Sequence, residues 1–109
     1  MTIRQISPRD VKALLDAGSP VLLLDVRQPD EYAVCHLPGS VLIPLGELPT
    51  RWEELDIPEG TRVVVYCHHG IRSLRGAGFL EHVGIADVAS MSGGIEEWST
   101  AVDAAMPRY

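Results

Sequence analysis

A cysteine does chemistry when its sulfur is held as an anion, and one segment of this 109-residue sequence has the residues to do that. The segment is Cys67-His68-His69-Gly70-Ile71-Arg72-Ser73, directly after the apolar run Val63-Val64-Val65-Tyr66. A cysteine at the end of a buried strand, before a tight loop that opens a helix, faces backbone N–H groups and the positive end of a helix dipole. Both favour negative charge, and therefore the thiolate of Cys67, the form that attacks. Gly70 permits a backbone conformation that a side chain forbids. Arg72 adds a fixed positive charge that either holds an anionic substrate or orders the loop. Ser73 either donates to the sulfur or caps the helix. His68 and His69 project from the loop, lining its mouth or standing in solvent, and no proton transfer is assigned to them.

Other polar residues read more readily as structure. Asp25 and Arg27 flank the end of a second apolar run, Val21-Leu22-Leu23-Leu24, and are expected to form an ion pair that supports the nearby loops. His36 is expected to be hydrogen-bonded structure, and Cys35 a structural thiol, with a redox or resolving role beside Cys67 as the alternative. Trp52 and Trp98 are expected to pack, and His82 to sit favourably at a helix C-terminus. A zinc site built from Cys35, His36, Cys67 and His68 or His69 would place its ligands in adjacent pairs. A loop that wraps a tetrahedral ion spaces them by roughly two to four residues, so no metal is expected.

The elements that must position the loop follow from pattern. Ser7-Pro8-Arg9-Asp10 supplies a hydroxyl cap, a proline at the first helical position and an acid three residues after the cap. Val11, Leu14 and Leu15 give that helix an apolar stripe, and Gly18 ends it. Val21 to Leu24 and Val63 to Tyr66 are continuously apolar rather than alternating, the mark of strands covered on both faces. Between them the sequence predicts a short acidic helix from Pro29 to Val34, a short strand from Val41 to Ile43 and a helix around Thr50 to Leu55. A helix then runs from Ile71 to near Gly84. Its Gly76 and Gly78 each cost up to about 1 kcal/mol relative to Ala, which implies close packing. A strand from Val88 to Met91, a Ser92-Gly93-Gly94 turn and a helix carrying Glu96, Glu97 and Trp98 complete the order. Helices alternating with buried strands predict a three-layer α/β domain with a mostly parallel sheet and helices on both faces. Its ligands sit beyond the carboxyl ends of the strands.

Composition narrows the partners. At 109 residues with 46% hydrophobic residues the chain makes one domain, 1–109, around a single core. A net charge of -6 argues against binding a phosphate backbone, which needs clustered Lys and Arg, so nucleic acid is not expected as a partner. No apolar run approaches the ~20 residues that span a bilayer, and Met1-Thr2-Ile3-Arg4-Gln5 leads into no secretory-type segment. The expectation is a soluble cytoplasmic protein without a membrane partner, its two cysteines kept as thiols.

Cys67-x-x-Gly70-x-Arg72-Ser73 resembles the active-site loop of rhodanese-like single-domain sulfurtransferases. Asp25-Val26-Arg27 with Glu31-Tyr32 resembles the first signature of that family. His36-Leu37-Pro38-Gly39-Ser40 with Ile43-Pro44 is similar to the second, and Gly93-Gly94-Ile95 with Trp98 to the C-terminal one. The resemblance implies a five-stranded sheet and a Cys67 persulfide that carries sulfane sulfur from a donor such as thiosulfate to cyanide or a thiol acceptor. It implies that backbone amides from His68 to Ser73 stabilise the charge, without metal or organic cofactor. Two positions depart from the pattern: Cys35 stands where the family usually has glycine, and Gly76 where alanine is common. A sulfur-carrier protein is a candidate partner, since the Cys67-His68-His69-Gly70 loop and Leu42-Ile43-Pro44-Leu45 resemble rhodanese domains that deliver sulfur for cofactor biosynthesis. The alternative function is a persulfide carrier or regulatory module with little turnover on small donors. A cysteine phosphatase fits less well, because a loop that wraps a tetrahedral phosphate needs one more residue between cysteine and arginine.

Overall fold

A computed structural model describes residues 3–109; Met1 and Thr2 of the N-terminal stretch lie outside the described residues. The strands are β1 (Gln5–Ile6), β2 (Val21–Asp25), β3 (Val41–Leu42), β4 (Arg62–Tyr66) and β5 (Val88–Met91). The helices are α1 (Pro8–Asp16), α2 (Pro29–Val34), α3 (Leu48–Arg51), α4 (Ile71–His82) and α5 (Gly94–Ala101). The strands form one sheet in the order β1-β5-β4-β2-β3, and every pairing is parallel. The expected α/β class holds, with a sheet that is wholly rather than mostly parallel. The four strands located by pattern are joined by β1, whose two residues, one of them an exposed Gln, are too few to show any periodicity.

The continuously apolar strands are central because they are covered on both sides. Along β4 and just beyond it, Val63, Val65 and Cys67 pack in one cluster with Leu24, Val26, Leu48, Ala77 and Leu80. Val64 and Tyr66 pack in the other with Val11, Leu23, Cys35, Leu37, Met91 and Trp98. Successive residues thus face opposite layers, and each fully buried aliphatic side chain contributes roughly 1.5–3 kcal/mol.

The start of α1 forms as its sequence requires. The Ser7 hydroxyl accepts from Asp10 N–H at 3.1 Å, and the Asp10 carboxylate accepts from Ser7 N–H at 3.4 Å. The expected helix around Thr50 to Leu55 is displaced and broken: 3-10 turns at Leu45–Glu47 and Trp52–Glu54 flank the short α3. Pro49 is tolerated there because it lies in the first turn, where its missing N–H has no partner to lose, and fully buried Leu48 anchors the segment. Gly76 explains the approach of α4 to the sheet, since a Cβ there would lie 3.2 Å from Val65 and 3.3 Å from Val26. Gly78 does not share that role; a Cβ at this position meets only Ile3, at an ordinary 3.7 Å.

Candidate active site

Cys67 is the first residue beyond β4, which lies in the middle of the sheet between β5 and β2, so its sulfur sits at the carboxyl edge of the strands. The residue is 1% exposed. Its Sγ accepts from Gly70 N–H at 3.1 Å and from Ser73 N–H at 3.3 Å, and lies 3.6 Å from the Ser73 hydroxyl. Two amides of the loop therefore reach the sulfur, one from the turn and one from the first turn of α4, and Ser73 faces the sulfur rather than merely capping the helix.

Glycine makes this curvature possible from two directions. Gly70 has φ +101°, and a Cβ on it would stand 3.1 Å from Gly93 N. From the facing loop, Ile95 N–H donates to Cys67 O at 2.9 Å and Glu96 N–H to His68 O at 3.1 Å. The free N–H groups that begin α5 thus hold the first two carbonyls of the cysteine loop, leaving that loop's own amides to turn inward. Gly94, at φ +62°, is indispensable there: a Cβ would fall 2.3 Å from His68 O and 2.5 Å from Cys67 O.

Arg72 does not point a free charge at the sulfur. Its guanidinium makes a two-pronged ion pair with Glu31 of α2, at 2.7 and 2.9 Å, so of the two roles weighed for it the loop-ordering one describes its contacts. This pairing holds the Glu31 carboxyl down at about 2, against the opposing effect of burial. Tyr109 extends the network, its hydroxyl donating to Glu31 Oε2 at 2.8 Å and accepting from Arg27 Nη1 at 2.8 Å. Burial raises the Tyr109 phenol to about 12.

Asp25 and Arg27 form the expected ion pair, and both are fully buried. The Arg27 guanidinium donates to Asp25 through Nε and Nη2, at 2.9 and 2.6 Å, while Nη2 also reaches Cys35 O at 2.7 Å. Burial works against that charge, but the bonds to Asp25 and Tyr109 outweigh it and the pKa of Arg27 is raised. Beneath the pair, the Tyr66 hydroxyl lies 2.9 Å from Ser40 Oγ and accepts from Leu37 N–H, tying the second signature segment to the end of β4.

The two histidines of the loop differ. His69 is exposed, whereas His68 is half-buried and stacked on Tyr109 with ring centroids 3.9 Å apart. Burial and the neighbouring His69 lower the His68 pKa, although Glu96 pulls it up. His36 bonds its own turn, Nδ1 lying 2.9 Å from Tyr32 O, and its exposed ring stacks on Tyr32. Cys35 and Cys67 are free thiols packed against opposite faces of the sheet. Among the described residues no group of three or more His, Cys, Asp or Glu side chains is placed to hold a metal ion. Glu31, Gly94 and Tyr109 carry weight that residue-by-residue reading did not assign them. Only the first two belong to recognisable motifs, and nothing near Tyr109 in the sequence points to the loop.

A parallel sheet covered on both faces, with one cysteine in an amide-lined loop beyond its central strand, defines an α/β thiol domain. The chain belongs to the rhodanese-like domain family, whose model matches residues 7–101. It is 31% identical over 104 residues to the probable adenylyltransferase/sulfurtransferase MoeZ of Mycobacterium tuberculosis, covering 95% of this chain and 26% of that protein. The chain thus spans about a quarter of the length of this relative. With the thiosulfate sulfurtransferase GlpE of Pseudoalteromonas translucida it shares 31% identity over 101 residues, 93% of each. The crystal structure of a rhodanese-related protein from Thermoplasma volcanium superposes with a TM-score of 0.80 at 30% identity, covering 91% of this chain and 93% of that one.

Proposed function

We propose that the protein is a sulfurtransferase whose nucleophile is Cys67. The observation that carries this is a buried sulfur with two backbone N–H groups aimed at it, a collar suited to one small anion. The thiolate attacks the outer sulfur of thiosulfate; a new S–S bond forms as the old one breaks, and sulfite leaves with the electron pair. The resulting Cys67–S–S⁻ is then attacked at its outer sulfur by cyanide or a thiolate, which releases thiocyanate or an acceptor persulfide and restores Cys67. His68, His69, Gly70, Ile71, Arg72 and Ser73 form the binding loop. Within it Gly70 and Ser73 stabilise charge directly, and Arg72 keeps the loop closed through Glu31. Asp25 and Arg27 support it from below. No metal or organic cofactor takes part.

Intact-mass measurement after thiosulfate treatment tests this. One added sulfur on the parent protein and none on Cys67→Ser is the expected result, with Cys35→Ser loading almost as well as the parent. Equal loss in both variants would replace the single-thiol scheme by a dithiol one. The commitment of Arg72 to Glu31 favours a second element of the reading, that the physiological donor or acceptor is a sulfur-carrier protein or other thiol rather than a small dianion. A direct comparison of thiosulfate turnover with persulfide transfer to such a carrier separates the enzyme from a carrier module with little turnover. The same contact weighs against phosphatase chemistry, because the arginine that would clasp the phosphate oxygens is already engaged by Glu31; hydrolysis of an aryl phosphate lost in Cys67→Ser would reverse that judgement.

A further inference from the structure

We propose that Ser90 is a positioning residue for the Cys67 sulfur, acting through the Ser73 hydroxyl. The inference rests on the reading of Cys67 as the nucleophilic thiolate and adds a residue from a different strand. Ser90 is a polar residue in the otherwise apolar β5, Val88-Ala89-Ser90-Met91, and it is fully buried, as is Ser73. Ser90 Oγ lies 2.7 Å from Ser73 Oγ, which lies 3.6 Å from Cys67 Sγ. Among the described residues neither hydroxyl has another hydrogen-bond partner.

Counting hydrogens along this line decides its direction. A thiol, Ser73 and Ser90 together bring three hydrogens to two links, so one buried hydrogen has no acceptor whichever way the chain runs. Once the thiol proton passes to solvent, two hydrogens fill two links. Ser90 donates to Ser73, and Ser73 donates to the sulfur beside the Gly70 and Ser73 N–H groups. The line is complete when the sulfur is an anion, and Ser90, by donating to Ser73 Oγ rather than accepting from it, strengthens the bond that the Ser73 hydroxyl donates to the sulfur. Arg72, paired with Glu31, is charged and interacts with Cys67, and the loop imidazoles His68 and His69 follow the cysteine in sequence, with α5 bringing Glu96 to His68. None of them is hydrogen-bonded to the Ser90 hydroxyl, whose partner is Ser73.

The test follows thiolate ultraviolet absorbance against pH in a Cys35→Ser background, where Cys67 is the only thiol. The midpoint is expected to move up by about half a pH unit in Ser90→Ala, with about threefold slower alkylation below the midpoint. It moves further up in Ser73→Ala, and Ser90→Ala adds nothing once the Ser73 hydroxyl is gone. Ser90→Thr and Ser90→Val share one shape and differ in the hydroxyl, so the midpoint is expected to be higher in the valine variant even if the alanine variant does not fold. An equal midpoint in that pair, or an undiminished Ser90 effect without Ser73, would overturn the proposal. Sulfur loading by thiosulfate is read separately by mass: a moved midpoint without loading upholds Ser90 and removes the sulfurtransferase reading, and loading with an unmoved midpoint does the reverse.

Discussion

At the scale of residues, the site is a set of charges already spoken for. Glu31 is the hinge of that arrangement, because it answers Arg72 and Tyr109 at once. Its carboxyl is lowered from an ordinary 4.5 to about 2, so its contribution to stability is full above the ordinary value and disappears as the pH falls towards 2. Glu31→Gln is therefore expected to cost about 1–2 kcal/mol at pH ~7 and to lose less on acidification than the parent, as read by urea unfolding at neutral pH and near pH ~3. Arg27 offers the harsher case. Arg27→Met leaves the fully buried Asp25 carboxylate without its counter-charge and is expected to cost about 3–5 kcal/mol in the same assay. The Asp25–Arg27 pairing was legible in the sequence because the two residues flank a strand end. That Arg72 would be claimed by Glu31, 41 positions away, was not, since no local pattern reports which of several nearby ions a long side chain will choose.

At the scale of elements, two glycine stretches do opposite work. Gly94 lets the start of α5 lie against the carbonyls of Cys67 and His68, so Gly94→Ala is expected to disturb the loop itself: lower stability by about 2 kcal/mol or more, with sulfur loading of any folded fraction strongly reduced. Gly78 has room for a methyl group in the interior of α4, and Gly78→Ala should raise the unfolding free energy by about 0.5–1 kcal/mol without altering loading. An equal effect of the two would mean that the carbonyl contacts at α5 are dispensable. The sequence made β2, β4, α1, α4 and β5 readable because each has a long apolar run, a cap or a clear stripe. It hid β1 and the split helix around α3, which are fixed by a neighbour rather than by their own residues: β1 by pairing with β5, and α3 by the burial of Leu48.

At the scale of the whole molecule, the parallel sheet gathers residues 25, 67 and 90 from three neighbouring strands or their ends, and no linear reading of the chain brings them together. Among the described residues no helix is long and apolar enough to cross a membrane. The C-terminal segment returns to the loop, Tyr109 stacking on His68 while Arg108 pairs with Glu96. Tyr109→Phe removes both hydrogen bonds of the phenol but keeps the stacked ring, and is expected to cost about 1 kcal/mol in urea unfolding; a cost near zero would show the tail to be held by stacking alone. Cys67 and Cys35 pack in clusters on opposite faces of the sheet, which bears on the fate of the persulfide proposed for Cys67. A Cys67 persulfide is therefore expected to hand its outer sulfur to a partner from outside rather than to Cys35, in line with the near-normal loading expected of Cys35→Ser.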